Sequence, residues 1–458
     1  MRDAGIRIIG SGCAGLGAAH HLAREGVQPV IYDARSRFGG HTMSWAYDDG
    51  FIFDEGPHVS FTKNERMQTL LAEAVDGDYQ AFPSRVNNYW QGHWIKHPAQ
   101  VNLAGLPQQL VVDCLKDFIA AQNSEPGEIR HYEDWLRAAF GNTIAETFPA
   151  QYTRKYHTTE AKNLTTDWLG PRLYRPDLEE VLHGALSKET KDVHYIPNFR
   201  YPTHGGFESY LRTFADRSEL HLDHRVDEID VDARTLSFGN GRVAGYERLI
   251  SSIPLPALIP LIRQAPDEVR DAAALLSCSQ VVLVNIGVKR PNVSDQHWTY
   301  FYDDEYCFSR LSFPTNFSPK VAPDGCSAIQ AEIYFSEKWK PMTGTLQDWV
   351  EPTIDGLIRC GLVRDRSEII HTSTLWVPWG NVIFDHDRPA NLKIVHDYLR
   401  EVGIAYCGRY GDWAYIWTDE SFMSGERAAN MVLNQTGDPT VAAHPPRDPA
   451  NDPKASPA

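Results

Sequence analysis

Paired cysteines, basic clusters and long apolar runs are all missing from this 458-residue chain. Its seven cysteines, at positions 13, 114, 278, 307, 326, 360 and 407, are odd in number and show neither a CxxC spacing nor a Cys/His pairing. That pattern excludes a disulfide scaffold and predicts reduced thiols, a cytoplasmic location and no bound metal. Lys and Arg number 44 against 60 Asp and Glu, a formal charge of −16. A nucleic-acid or anionic-membrane surface needs clustered basic side chains to displace counterions, so neither partner is expected. A small anionic ligand stays open, because a few arginines in a cleft act against the global field. No stretch reaches the roughly 18 consecutive apolar residues of a membrane span; the nearest, 255–262, is short and broken by prolines. Met1 stands only a few residues before the first predicted strand, which leaves no room for a secretion signal. Internal repeats are absent as well.

What the chain does have is length and aromatic surface. Hydrophobic residues make up 42%, with 12 Trp, 20 Tyr and 19 Phe, enough for a sizeable pocket inside two or three lobes. The opening IRIIGSGCAGLGAAHHLAREGVQPVIYDAR reads as strand, glycine turn, helix, strand. Helical periodicity then dominates, as in QQLVVDCLKDFIAAQ and DLEEVLHGAL, until short alternating strands return at LHLDHRVDEIDVDARTLSF. QVVLVNIGV, WTYFYDD, SAIQAEIYFS and IIHTSTLWV predict a second sheet. The expected fold is α/β: a discontinuous dinucleotide-binding domain (1–75, 200–275 and 395–436), a helical insertion (76–199) and a mostly antiparallel substrate domain (276–394). A Pro, Asp and Ala-rich tail, 437–458, is expected to be disordered.

Gly10, Gly12 and Gly15 form GxGxxG directly between that first strand and helix. The first glycine permits the tight turn, the second lets backbone approach a pyrophosphate, and the third packs helix on strand, while the helix N-terminus meets negative charge. Asp33, 18 residues past Gly15, ends the second strand where a carboxylate accepts from ribose hydroxyls. An acid there disfavours a 2′-phosphate. The motif predicts a bound dinucleotide.

RSRFGGHTMSW follows, and it resembles the flavoprotein extension of the dinucleotide motif in the amine oxidase superfamily. The resemblance implies FAD, with Arg37, Gly39 and Gly40 beside the diphosphate and Val226 of HRVDEI at the adenine. YCGRYGDWAYIWTDESF resembles the closing FAD motif, which implies that Gly408, Arg409 and Tyr415 meet the cofactor.

Within that superfamily the order of segments is similar to the UDP-galactopyranose mutases. FDEGPHVSFT is similar to their segment that carries a histidine over the flavin, which implies that role for His58. NYWQGHWIKHP, with Tyr89 and Trp94, resembles the small hairpin before the helical insertion. TTDWLGPRLYR ends in a stretch resembling their substrate arginine, matched by Arg172 or Arg175. YFYDDEYCFSRLSF matches a strand pair in which Phe308 and Arg310 would meet a nucleotide diphosphate, and Trp413 and Tyr415 fall near the expected active-site aromatics. The chain departs from the family where Phe308 and Trp413 replace tyrosines. YPTHGGFESYLRTFA looks instead like the protoporphyrinogen oxidase and carotenoid desaturase side.

The resemblance implies an isomerase on a small-molecule substrate, a nucleotide sugar. Reduced FAD would attack the anomeric carbon through N5, hold the sugar as an adduct, and let pyranose and furanose forms interconvert. His58, Arg310, Arg172, Trp413 and Tyr415 are the expected catalytic set. The alternative is an FAD-dependent oxidoreductase of the amine oxidase or protoporphyrinogen oxidase kind, which needs an apolar tunnel and no diphosphate clamp. Oligomeric state is not legible in the sequence.

Overall fold

Runs of Ile and Val bounded by glycine build the strand Ile6–Ile9, and its neighbour Val30–Tyr32 is buried at every position. Strands apolar on both faces belong in the middle of a parallel sheet covered by helices. The computed structural model, which describes residues 1, 3–124, 127–170 and 173–434, places them there. The sheet order is Ile404–Tyr406, Arg248–Ser251, Ile6–Ile9, Val30–Tyr32, Glu219–His221, with every pair parallel. Its strands thus come from three separated stretches of chain. Beside it lies an antiparallel meander, Val226–Asp230, Thr235–Phe238 and Val243–Gly245.

The helix Cys13–Arg24 packs on this sheet and against the last described helix, Thr418–Asn434. The seam is closed by two glycines. A Cβ on Gly17 would lie 2.1 Å from the Phe422 carbonyl oxygen, and one on Gly425 would lie 1.9 Å from that of Ala14. Cys13 adds a contact across the same seam, its Sγ donating to the Thr418 carbonyl at 3.1 Å.

A seven-stranded sheet forms the second layer, in the order Ile369–Val377, Gln280–Val288, Ser327–Phe335, Arg310–Ser312, Trp298–Phe301, Val86–Trp90, His93–Lys96. It is antiparallel except where Trp298–Phe301 runs parallel to Val86–Trp90. The hairpin at 86–96 therefore completes this sheet, although it falls in the span 76–199 expected to be helical. Tyr79–Pro83 is also a strand, paired with Asn198–Pro202. The alternation in VNNYWQGHWIK marks strands locally, but a partner more than 200 residues away leaves no mark in a short window.

The helices of the insertion are Gln108–Gln122, Tyr132–Thr147, Pro149–Tyr156 and Leu178–Leu186. The last begins with a capping box in which Asp177 and Glu180 satisfy each other's backbone N–H groups. Pro149–Tyr156 reaches from this lobe towards the large sheet, and so delivers Tyr156 to the space between the layers. The expected tail, 437–458, lies outside the described residues. Among the described residues no helix is long and apolar enough to cross a membrane.

Candidate active site

One cavity of about 840 Å³ opens at the carboxyl ends of the parallel strands and runs against a face of the seven-stranded sheet. That is where ligands sit in open α/β folds. Gly10, Gly12, Gly39 and Gly40 form part of its wall. Gly12 is the N-cap of Cys13–Arg24 and brings no side chain to the cap, so the N–H groups of the first turn face outward. Gly12 bridges to Gly39, and the Gly39 N–H donates to the Ser11 carbonyl at 2.9 Å. Gly15 packs behind the turn, where a Cβ would come within 1.9 Å of the Gly10 carbonyl oxygen. At Gly12 the same test meets only Gly40 Cα at 3.7 Å and Gly39 oxygen at 3.9 Å, and φ is −74°. The fold tolerates a side chain at Gly12; a ligand phosphate beside the helix start would not.

Asp33 lines the cavity and is held by three donors: Ser11 N–H at 2.7 Å, Ser11 Oγ at 2.6 Å and Arg35 N–H at 2.8 Å. Val226, buried at the head of its strand, lines it too. Arg37 does not. Its guanidinium donates to Glu208 at 2.6 Å and to the Ser44 carbonyl, and lies over the Trp45 ring. The basic residue that this segment does bring to the cavity wall is Arg35, paired with Glu55 at 2.9 and 3.2 Å. Arg35 and Arg37 share the parity of Asp33, so nothing local in the sequence separates them. Burial would raise the Glu55 carboxyl, but hydrogen bonds from His41 and Arg35 hold it below its ordinary range.

His58 lines the cavity with Nδ1 2.9 Å from the Gly56 carbonyl. A carbonyl only accepts, so Nδ1 carries the proton and Nε2 presents a lone pair. Burial pushes the imidazole down to about 4, which keeps it neutral near pH 7. Arg409 donates through Nε and Nη2 to the Ile416 carbonyl at 3.0 and 2.7 Å, and through Nη1 to Asn381 at 3.2 Å. Gly408 takes a positive φ of 80°, and its N–H donates to Ser424 Oγ at 3.0 Å. Tyr415 stands against Arg409 and shares a 2.6 Å hydroxyl contact with Tyr156.

On the large sheet, Arg310 and Glu332 face each other directly across two strands and form a bidentate pair at 2.7 and 2.8 Å. Tyr334 Oη donates to the same carboxylate at 2.5 Å. Burial alone would lower the Arg310 guanidinium, yet Glu332 beside it leaves it raised well above its usual range. Tyr156, Tyr300, Tyr334 and Tyr415 complete a hydroxyl-rich wall around this pair. Reading the sequence missed Tyr156, Glu332 and Tyr334; the alternation in AEIYF puts the last two on one face, but nothing local says that the face is a cavity.

Besides Arg37, other expected residues are not on the wall. Trp413 is fully buried, packs edge-on to Trp379, and does not line the cavity. The resemblance carried it to the site together with Tyr415; here a helical turn, Gly408–Gly411, is followed by a left-handed φ of 47° at Trp413. Phe308 is likewise buried, packed on Phe301 and Tyr306. Arg172 lies outside the described residues, and Arg175 is not on the cavity wall. Tyr89 and Trp94 pair with each other in the hairpin, also away from the cavity. Among the described residues no cluster of side chains could hold a metal ion.

Comparison with known proteins agrees with this geometry. The chain superposes on a crystal structure of reduced UDP-galactopyranose mutase with a TM-score of 0.90, at 26% identity and over 98% of both chains. A putative protoporphyrinogen oxidase from Exiguobacterium sp. 255-15 shares the fold at a TM-score of 0.71, with 14% identity over 94% of this chain and 99% of the other. A curated relative, 15-cis-phytoene desaturase of Capsicum annuum, is 38% identical over 68 residues, which span 15% of this chain and only 12% of the desaturase. The model of the flavin containing amine oxidoreductases matches residues 13–329, well over half of the chain. By that match the chain belongs to the family of flavin containing amine oxidoreductases, enzymes built around an FAD-type flavin.

Proposed function

We propose that this enzyme acts on a nucleotide sugar and interconverts its pyranose and furanose ring forms. One observation carries the reading: beside the glycine cradle the cavity wall carries four tyrosines, at 156, 300, 334 and 415, around the Arg310–Glu332 pair. Each hydroxyl already has one protein partner, and a phenol oxygen keeps further lone pairs that an apolar amine chain or polyene would leave without donors. A polyhydroxylated ring satisfies them. The likeness to the mutase over 98% of both chains supports the same reading.

In this proposal Gly10, Gly12, Gly15, Gly39, Gly40 and the first turn of Cys13–Arg24 hold the FAD diphosphate, with Arg35 in the place first expected for Arg37. Asp33 holds the ribose, Val226 faces the adenine, and Gly408, Arg409 and Tyr415 hold the far side of the cofactor. When bound and reduced, the flavin supplies the nucleophile that opening and reclosing a sugar ring requires. His58, neutral and with its Nδ1 proton committed to Gly56, offers Nε2 as an acceptor without adding charge. Arg310 is held in place by Glu332. Two of its N–H groups are spent on that carboxylate, and the rest of its five are left for a diphosphate. Tyr156 and Tyr415 orient the sugar. A cytoplasmic location belongs to this reading, supported by seven free thiols.

A second reading, an FAD-dependent oxidoreductase on a neutral or cationic substrate, is favoured by one observation: Glu332 already balances the charge of Arg310. Anaerobic incubation of the reduced enzyme with UDP-galactose and other nucleotide sugars separates the two. The proposal expects isomer to accumulate with no stoichiometric O2 or NADPH consumption. Turnover of an amine or cyclic substrate by oxidised enzyme with matching O2 uptake, and no isomer from any nucleotide sugar, overturns it.

A further inference from the structure

The turn 408–417 carries Arg409 and Tyr415 into the cavity, and three of its carbonyls are capped by side chains. Arg409 caps Ile416 from within the turn. The other two caps come from outside, from the helix Arg388–Glu401. His396 Nε2 lies 2.9 Å from the Gly411 carbonyl, and Arg388 donates through both Nε and Nη2, at 3.1 and 2.5 Å, to the carbonyl of Trp413.

Arg388 is the unusual member. It is only 4% exposed, lies 4.2 Å over the Phe384 ring, and among the described residues has no carboxylate within ion-pair distance. Burial of a guanidinium without a paired carboxylate is expensive, and a chain keeps it only where its donors do something an apolar side chain cannot. The carbonyl it grips belongs to a buried tryptophan at φ 47°, a backbone conformation that bulky residues rarely hold. Two residues on stands Tyr415, whose hydroxyl meets Tyr156.

We infer that Arg388, outside the cavity, is a positioning residue: its fork on the Trp413 carbonyl holds the left-handed turn that aims Tyr415 and Arg409 at the bound flavin and substrate. The inference needs a bound flavin and does not depend on which substrate is served. Strain at Trp413 is retained because a charged double hydrogen bond opposes its relaxation. Without the fork the turn relaxes, the Tyr156–Tyr415 contact opens and the Arg409 charge shifts.

The test compares the FAD-loaded wild-type protein with Arg388→Met, Tyr415→Phe and the double variant, by visible circular dichroism of the flavin and by its midpoint potential. Arg388→Met is expected to keep stoichiometric FAD yet change both signals, with turnover, once a substrate is known, falling on the order of tenfold to a hundredfold. The double variant is expected to fall short of the sum of the two single changes, because part of the Arg388→Met effect runs through Tyr415. An Arg388→Met protein identical to wild type in both signals overturns the inference, as does an effect that adds in full to that of Tyr415→Phe. Should Arg388→Met fail to fold, Arg388→Lys, which keeps the charge but loses the fork, is measured in its place with the same outcomes. His396→Phe, which keeps a ring but removes the neighbouring cap, is the comparison for a change that leaves the fork intact, and wild-type signals are expected from it.

Discussion

Tyr156 and Tyr415, 259 positions apart, meet hydroxyl to hydroxyl at 2.6 Å inside the cavity. One ends the helix Pro149–Tyr156 of the insertion and the other lies in the turn before the last described helix, so the bond ties two lobes across the cavity. Each single change to phenylalanine should destabilise the protein by about 0.5–1.5 kcal/mol. The double change should cost less than the sum, measured by denaturant unfolding as a double-mutant cycle. Simple additivity would show that the two hydroxyls do not act as a pair.

Two glycines three apart should fail in different ways. Gly15→Val drives a side chain into the Gly10 carbonyl and is expected to give insoluble or unfolded protein. Gly12→Val meets no close backbone and has an ordinary φ, so it should fold with wild-type far-UV circular dichroism but purify without flavin. Full flavin occupancy in Gly12→Val would remove Gly12 from the cofactor cradle.

Breaking the Arg310–Glu332 pair from one side should be worse than removing it. Glu332 is 1% exposed, and Arg310→Ala leaves its carboxylate uncompensated, with an expected loss of about 3–5 kcal/mol. Arg310→Met combined with Glu332→Gln should recover much of that loss in thermal unfolding, without recovering activity. A double variant no more stable than Arg310→Ala would place the stabilisation elsewhere.

Burial pushes the Asp54 carboxyl from 3.8 up to about 6, despite hydrogen bonds from Ser44, Tyr201 and the Phe207 N–H. The folded protein therefore holds this proton more tightly than the unfolded chain. The resulting stability is fully present below about pH 4 and is lost as pH rises through 6, on the order of 3 kcal/mol in all. Asp54→Asn, neutral at every pH, should flatten that slope in unfolding experiments between pH 4 and 7. Asp412, raised to about 6 for the same reason, should keep a residual slope alive. An unchanged slope in Asp54→Asn would mean that the carboxyl titrates normally.

The glycine turn, its flanking strand and helix, and the acid at Asp33 were legible because each is a local pattern whose geometry follows from a few adjacent residues. The closing segment at Gly408 and Arg409 was read through its resemblance to a family motif, and both residues line the cavity. What escaped depends on parity or on distant partners. Arg35 and Arg37 are equally basic and two apart, and only the bend after Asp33, together with Glu208 waiting 171 positions away, sends Arg37 out of the cavity. Trp413 misled because the resemblance carried it over together with Tyr415, whereas its ring is buried and only Tyr415 reaches the wall. The hairpin at 86–96 was expected from its resemblance, but its place in the large sheet was not, because its parallel partner, Trp298–Phe301, is far along the chain. Glu332 and Tyr334 sit in a strand that reads as core, and their polarity was the unused clue.

The glycine seam between Cys13–Arg24 and Thr418–Asn434 has a consequence for how the protein is made. The helix Cys13–Arg24 is translated well before the surface it must close against, 405 positions on at the Cys13–Thr418 contact. Until then the Gly17 face is an open apolar groove, while the parallel sheet grows from Ile6–Ile9 in steps, first by 248–251 and then by 404–406. Vectorial synthesis therefore leaves this glycine face uncovered until its partner helix follows. A chain truncated just before Thr418 would keep the complete glycine motif and nearly the whole pocket wall, but no lock to hold them shut.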